Sequence, residues 1–344
     1  MQIKLYKPLV IIVSLLILPT VACQNEQKGK DKKDKKSKEL FAYARDWSRF
    51  PAIIERDTKN EIVAIGDIHG GFDRLVALLT KAGLIKADPQ AKSGYAWTGG
   101  NRLLVCTGDM INKGNGSIAV LDLLMALEDQ ARAAGGELIV TLGNHEVTFL
   151  ANPGAKKAEE FEDELEAKGI DPDSLPRGES PYGVWLMNRA YAARVNDWFF
   201  SHSGNTSDKT LDQLSQEFRA AVEKGDWKSL LGETSLLESE KWWKGQGGAK
   251  ELLDKNLASV KARHFVFGHD PGAFEGFGAI QQDKDGRLVL IDVGMSPAVD
   301  YSKGALLFIE TKDNESLATS VDADGNKKQI WRGDLVKAKA LKLP

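Results

Sequence analysis

Two cysteines, Cys23 and Cys106, are all that this chain of 344 residues contains. At most one disulfide is possible, and none if Cys23 is lipidated; the fold must then rest on its core, which this length allows. The chain also lacks a long apolar run: Leu9 to Leu18 falls short of the roughly 18 residues a membrane-spanning helix needs. There is no excess of positive charge either, since the formal net charge is −3, and this argues against a nucleic-acid partner. No repeat period is present, and only one segment is low in complexity.

What is present begins with a leader. Residues 1–22 carry the pattern of an export signal: Lys4 and Lys7, then the apolar run, then the small-residue exit Thr20-Val21-Ala22. Cys23 follows at once, as in the acceptor of a bacterial lipoprotein, although Thr20 stands where that pattern has Leu. The alternatives are lipidation of Cys23, with membrane attachment through it, or simple cleavage after Ala22. With lipid added, Gln24 favours the outer membrane, so the expected location is the periplasm or outer membrane of a Gram-negative bacterium. Residues 23–39 form a charged flexible tether rich in lysine, and residues 40–344 form the folded domain. With leader and tether set aside, 45 acidic face 37 basic residues. An anionic substrate is repelled by that background unless bound metal inverts the local field.

Three short apolar runs organise the domain. Ile62 to Ile65 ends in Gly66-Asp67-Ile68-His69-Gly70, Leu103 to Cys106 in Gly108-Asp109, and Leu138 to Leu142 in Gly143-Asn144-His145-Glu146. Continuous apolar runs of this length suit strands buried on both faces. Segments of helical spacing, 71–84 and 117–134, lie between them, so the three strands are expected to be parallel. Ligands bind at the carboxyl ends of such strands. Asp, His, Asp, Asn and His on one rim are oxygen and imidazole donors suited to divalent metals.

Further along, residues 87–101 read as a polar connection. Residues 152–182, with four prolines around the acidic stretch Glu159 to Leu165, read as a cap inserted over the rim, or else as a surface excursion. Residues 182–195 read as helical, and 207–260 as mostly helical. Trp198-Phe199-Phe200 leads to His202, and His264 to Phe267 leads to Gly268-His269. Leu288 to Asp292, Ala305 to Ile309 and Ser316 to Val321 are expected to form a second sheet packed on the first. Of the five histidines, four follow an apolar run beside a glycine at an expected strand end. His264, inside a strand, reads as a core residue.

Asp-x-His, Gly-Asp-x-x-x-x-Gly, Gly-Asn-His-Glu, a lone His after a strand and Gly-His together resemble the calcineurin-like metallophosphoesterases, over roughly residues 60 to 310. Residues 182–204 and 238–272 look more narrowly like the bacterial Shewanella-like branch of the phosphoprotein phosphatases. The resemblance implies an α/β fold, a two-sheet β-sandwich flanked by helices. It implies two divalent metal ions (Mn, Zn, Fe, Mg or Ni), the first on Asp67, His69 and Asp109, the second on Asp109, Asn144, His202 and His269. A carboxylate shared by two cations offsets part of their repulsion. In that family a water bridging the metals attacks phosphorus, which makes His145 the general acid for the leaving oxygen.

Two departures stand out. Where the family has Asp-Arg-Gly, this chain has Asn112-Lys113-Gly114, and where it has Arg after a Trp, this chain has Trp243-Lys244. Asn112 can orient His145 through its carbonyl but supplies no charge. Lys113 and Lys244 are left to bind the phosphate as point charges rather than guanidinium forks, with the Asn144 amide as a further expected contact. The expected function is hydrolysis of phosphomonoesters, on phosphoprotein or small phosphoester. The alternatives are a hydrolase of dinucleoside polyphosphates and, in another class, a catalytically weak metal-binding sensor.

Overall fold

The computed structural model describes residues 43–244, 249–313 and 315–334. The expected leader, the tether and Cys23 lie outside these residues. In chain order the strands are β1 (Ile53–Arg56), β2 (Ile62–Ile65), β3 (Ile85–Ala87), β4 (Tyr95–Trp97), β5 (Leu103–Cys106), β6 (Glu137–Val140), β7 (Ala192–Val195), β8 (Trp198–Phe200), β9 (His264–Phe267), β10 (Gln281–Asp283), β11 (Leu288–Leu290), β12 (Ala305–Lys312), β13 (Glu315–Asp322) and β14 (Lys327–Asp334). The helices are α1 (Phe72–Lys81), α2 (Ser117–Ala133), α3 (Asn144–Ala151), α4 (Glu159–Ala167), α5 (Pro181–Met187), α6 (Leu211–Lys224) and α7 (Ala249–Ser259).

The three apolar runs become β2, β5 and β6, paired in parallel with Ile62 beside Leu103 and Leu103 beside Glu137. All four residues of β2 and of β5 are buried, as a strand covered on both faces requires. Helices α1 and α2 return the chain across the sheet. They bury Leu75, Leu78 and Leu79, and Val120, Leu121, Leu124 and Leu127, the spacing of one helical stripe. Each such side chain contributes roughly 1.5–3 kcal/mol through burial. Because all three strands point the same way, their carboxyl ends share one rim.

The second sheet runs β1-β7-β8-β9-β11-β10. Strands β8 and β9 are parallel, with Trp198 beside His264, and they deliver His202 and His269 from their carboxyl ends. The sheets meet through packed aromatics, for example Trp331 of β14 edge-on to Trp198 at 5.9 Å between ring centroids. This is the mixed α/β two-sheet sandwich expected from the sequence.

Several elements differ from expectation. Only the first half of 182–195 is helical; its last four residues, Ala192–Val195, are β7, which pairs with both β1 and β8. The polar connection 87–101 contains β4, paired with β3. The three late β-like runs do not make a sheet of their own. Strand β11 joins the second sheet beside β9. Strands β12 and β13 extend the first, where β12 lies antiparallel to β2. An unpaired edge of β2 attracts a partner irrespective of distance along the chain, and local pattern cannot reveal which strand it will be.

Candidate metal centre

The rim holds an unusual concentration of strained backbone. Asp67, His69, Asp109, Asn112, Lys113 and His269 all have positive φ, between 45° and 75°. Non-glycine residues seldom adopt this conformation, and it persists where surrounding structure imposes it. The glycines that recur in the motifs serve a related purpose. A Cβ on Gly268 would collide with Asp67 Oδ1, and one on Gly143 with Asp109 Oδ1. Glycine there clears space for carboxylates.

Asp109 is the pivot. Its Oδ2 lies 3.4 Å from His69 Nε2 and 3.3 Å from His202 Nε2. Its Oδ1 accepts the backbone N–H of His145 at 3.0 Å. His69 Nδ1–H donates to Ile111 O at 3.0 Å, and His202 Nδ1–H donates to Thr107 O at 3.1 Å. A carbonyl can only accept, so each bond puts a proton on Nδ1 and turns Nε2 toward the cluster as the candidate ligand atom. Asp67 Oδ2 accepts the N–H of His269 at 2.9 Å, which ties the rims of the two sheets together. The rings of His202 and His269 are 5.1 Å apart.

These donor atoms need a cation. The Asn144 amide atom facing the cluster is 3.1 Å from His202 Nε2 and 3.2 Å from both Asp109 oxygens. As an oxygen it meets lone pairs, an arrangement that a bound cation resolves. Asp67 Oδ1 and His145 Nδ1 are buried with no hydrogen-bond partner among the described residues, where such groups are normally satisfied. The residues fit divalent metal. Two three-residue groups have ligand atoms within 4.8 Å of one another, His69-Asp109-His145 and Asp67-Asp109-His202. Asp109 belongs to both, as a bridge should, while the other residues divide differently from the expected pairing.

Electrostatics follow from burial. Asp67 is raised well above the usual carboxylate range, first by burial and then by Asp292. Burial acts on Asp109 in the same direction, but His202, His145 and His69 outweigh it and hold it well below that range. His69 and His269 are each lowered to about 3, chiefly by burial. His202 is opposed by burial yet raised to about 10 by Asp109. His145 is lowered by burial, against Asp109 and with the help of Lys113 and, more weakly, Lys157.

The remaining expected site residues part company. Lys113 joins the cluster, with Nζ 3.2 Å from His69 Nε2. Lys244 does not: its Nζ is 3.5 Å from Glu275 Oε1 in a surface ion pair. Asn112 does not direct its carbonyl to His145 as expected. Oδ1 instead accepts the N–H of Phe161 at 3.0 Å, because α4 of the inserted segment lies against this loop.

Other residues went unassigned from the sequence. Glu146, buried, accepts N–H bonds from Gly143, Asp109, Met110 and Ile111 at 2.7–3.2 Å. Burial and Asp109 push its carboxyl up to about 7 against those donors. It holds the β5 and β6 rims in register. Its signal was the Glu three residues after Gly143, a helix-capping spacing. Asp292, raised to about 6 mainly by burial, follows β11 as Asp109 follows β5. Its only cue was an Asp beyond a strand with Gly294 two residues on.

Residues 61–273 match the sequence profile of the family described as calcineurin-like phosphoesterase. An uncharacterised protein of Schizosaccharomyces pombe is 27% identical over 297 residues, spanning 80% of this chain and 82% of that protein. Shewanella-like protein phosphatase 1 of Plasmodium berghei is 24% identical, over 78% of this chain and 76% of its own. Among solved structures, the cold-active protein-tyrosine phosphatase of a psychrophilic Shewanella species superposes with a TM-score of 0.65. It is 22% identical and covers 80% of this chain and 82% of its own, a likeness of fold.

Proposed function

From the premise that the chain belongs to the calcineurin-like phosphoesterase family, we propose that it is a phosphomonoesterase using two divalent metal ions. The observation that carries this reading is Asp109 Oδ2 set between two imidazole nitrogens whose tautomers are fixed by backbone carbonyls. Asp67, His69, Asp109, Asn144, His202 and His269 would hold the metals. Bound there, the metals would supply Lewis acidity toward phosphate oxygens and would lower the pKa of a water toward neutrality. His145, whose N–H is anchored on Asp109, gives a proton to the leaving oxygen as the P–O bond breaks. Lys113 meets a phosphate oxygen, and Glu146 keeps the loops from shifting. Relatives and fold neighbours named as protein phosphatases support a phosphorylated protein or a small phosphoester as substrate. Residues 1–39 would place the reaction at the cell envelope.

The test is hydrolysis of p-nitrophenyl phosphate and of a dinucleoside tetraphosphate after metal is stripped and Mn2+ restored. Hydrolysis of the monoester alone is the expected result. His145→Ala should lower kcat by about 10²–10⁴-fold with metal content unchanged. Preference for the dinucleotide would replace the monoester reading. Stoichiometric metal with neither substrate hydrolysed would leave a binding module.

A further inference from the structure

The inserted segment is bound to the loop that carries Lys113. Phe161 N–H donates to Asn112 Oδ1, and Lys113 N–H donates to the carboxylate of Glu160. Glu164 accepts the N–H groups of Ser117 and Ile118, both at 2.9 Å. These are first-turn donors of α2, which no residue of that helix can satisfy, and a carboxylate there also meets the positive end of the helix dipole. The arm is thus fixed by four hydrogen bonds. Just before α4, the single turn Lys156–Ala158 packs against α3, the helix that begins with Asn144 and His145.

From that turn Lys157 reaches the rim. Its Nζ is 3.6 Å from Glu238 Oε1, and the same oxygen is 3.4 Å from Asn144 Nδ2. The two nitrogens are separated by no more than those two distances together. Glu238 is anchored through Oε2, which accepts Gly232 N–H at 2.8 Å, and its side chain is 21% exposed. The Lys157 side chain is 64% exposed, so Lys157 is the partner free to move.

We propose that Lys157 is a substrate-binding residue: it leaves Glu238 to hold a phosphoryl oxygen of the substrate. Lys244, from which the sequence leads one to expect a phosphate contact, is engaged with Glu275 at the surface. This rests on the phosphomonoesterase reading. An exposed ion pair contributes little stability, while a phosphate dianion offers more charge and more acceptor atoms than Glu238 does. Lysine suits such an exchange, being a compact charge on a flexible stem.

The experiment uses the full chain loaded with Mn2+. Inorganic phosphate is titrated by calorimetry, and KM and kcat are measured for p-nitrophenyl phosphate. Lys157→Ala is expected to weaken phosphate binding and raise KM by about ten-fold. In the same variant kcat should stay within about two-fold, the mark of lost ground-state binding. Lys157→Arg should restore both constants. Lys156→Ala, which removes an exposed charge from the same turn, should change neither. The proposal is overturned if Lys157→Ala behaves as Lys156→Ala does, or if kcat falls while phosphate affinity holds. Should the wild-type protein hydrolyse nothing yet lose phosphate affinity on Lys157→Ala, the Lys157 assignment stands and the phosphatase reading falls.

Discussion

His69 and His202 at the rim and His264 at the far end of the second sheet make the same hydrogen bond. Each donates Nδ1–H to a backbone carbonyl, of Ile111, Thr107 and Gly286, at 3.0, 3.1 and 2.8 Å. What differs is the second nitrogen. At the rim both Nε2 atoms face the Asp109 carboxylate, with Lys113 Nζ also near that of His69 and the Asn144 amide near that of His202. At His264 it lies in an aromatic cage, with Trp198 stacked at 3.9 Å and Trp331 tilted at 4.3 Å, and has no partner among the described residues. Fixing a tautomer is therefore common to both places. A ligand site arises only where the freed lone pairs converge.

The largest expected effect comes from removing the convergence. Asp109→Asn leaves the two imidazoles without their shared carboxylate. Activity should fall well beyond the roughly 10–100-fold typical of partners outside the ligand shell, and bound metal, counted by mass spectrometry of metals, should fall with it. Retained metal and activity would mean that Asp109 is no bridge. Next is Glu146→Gln, which replaces one acceptor oxygen with an amide NH2 facing backbone donors. A loss of roughly 10–100-fold in kcat/KM and weaker metal affinity are expected, while the folded state persists in circular dichroism. An unchanged kcat/KM would show that the loops hold their register without it.

The smallest effect tests the other side of the comparison. Burial lowers His264 to about 4, below its ordinary value, so the unfolded chain takes up a proton first as pH falls. Stability from this group is present above the unfolded pKa and is lost as pH drops from about 6.5 toward 4. Between pH 7 and pH 6 the expected loss is about 0.7 kcal/mol. Urea titrations of the wild type and of His264→Phe should show that increment only in the former. An equal change in both would mean that His264 keeps its ordinary pKa in the fold.

Much of the site was legible because its residues sit where strands end. Apolar runs followed by Gly-Asp or Gly-Asn-His declare both a buried strand and the polar group at its tip, and parallel strands bring their tips together. The histidine at 264 was rightly separated, since it begins a strand instead of following one. Other features had no local signature. Nothing around Ala305 to Lys312 says that this strand will close the open side of β2, or that Leu288 to Leu290 will pair with β9. Nor does the acidic run at Glu159 to Leu165 announce that Glu160 and Glu164 will be spent on backbone donors of the loop at 113–118.

The sequence by itself determined the strand-end motifs, the stripes of α1 and α2 and the set of candidate ligand atoms, because these depend on periods of two and 3.6 residues and on side-chain chemistry. Only the tertiary structure decided that Asn112 serves Phe161, that Lys244 goes to Glu275, and that Lys157 and Asn144 share Glu238. Hydrogen bonds and ion pairs between distant segments form according to which surfaces meet, and that is set by how two sheets and an inserted arm pack, not by spacing along the chain.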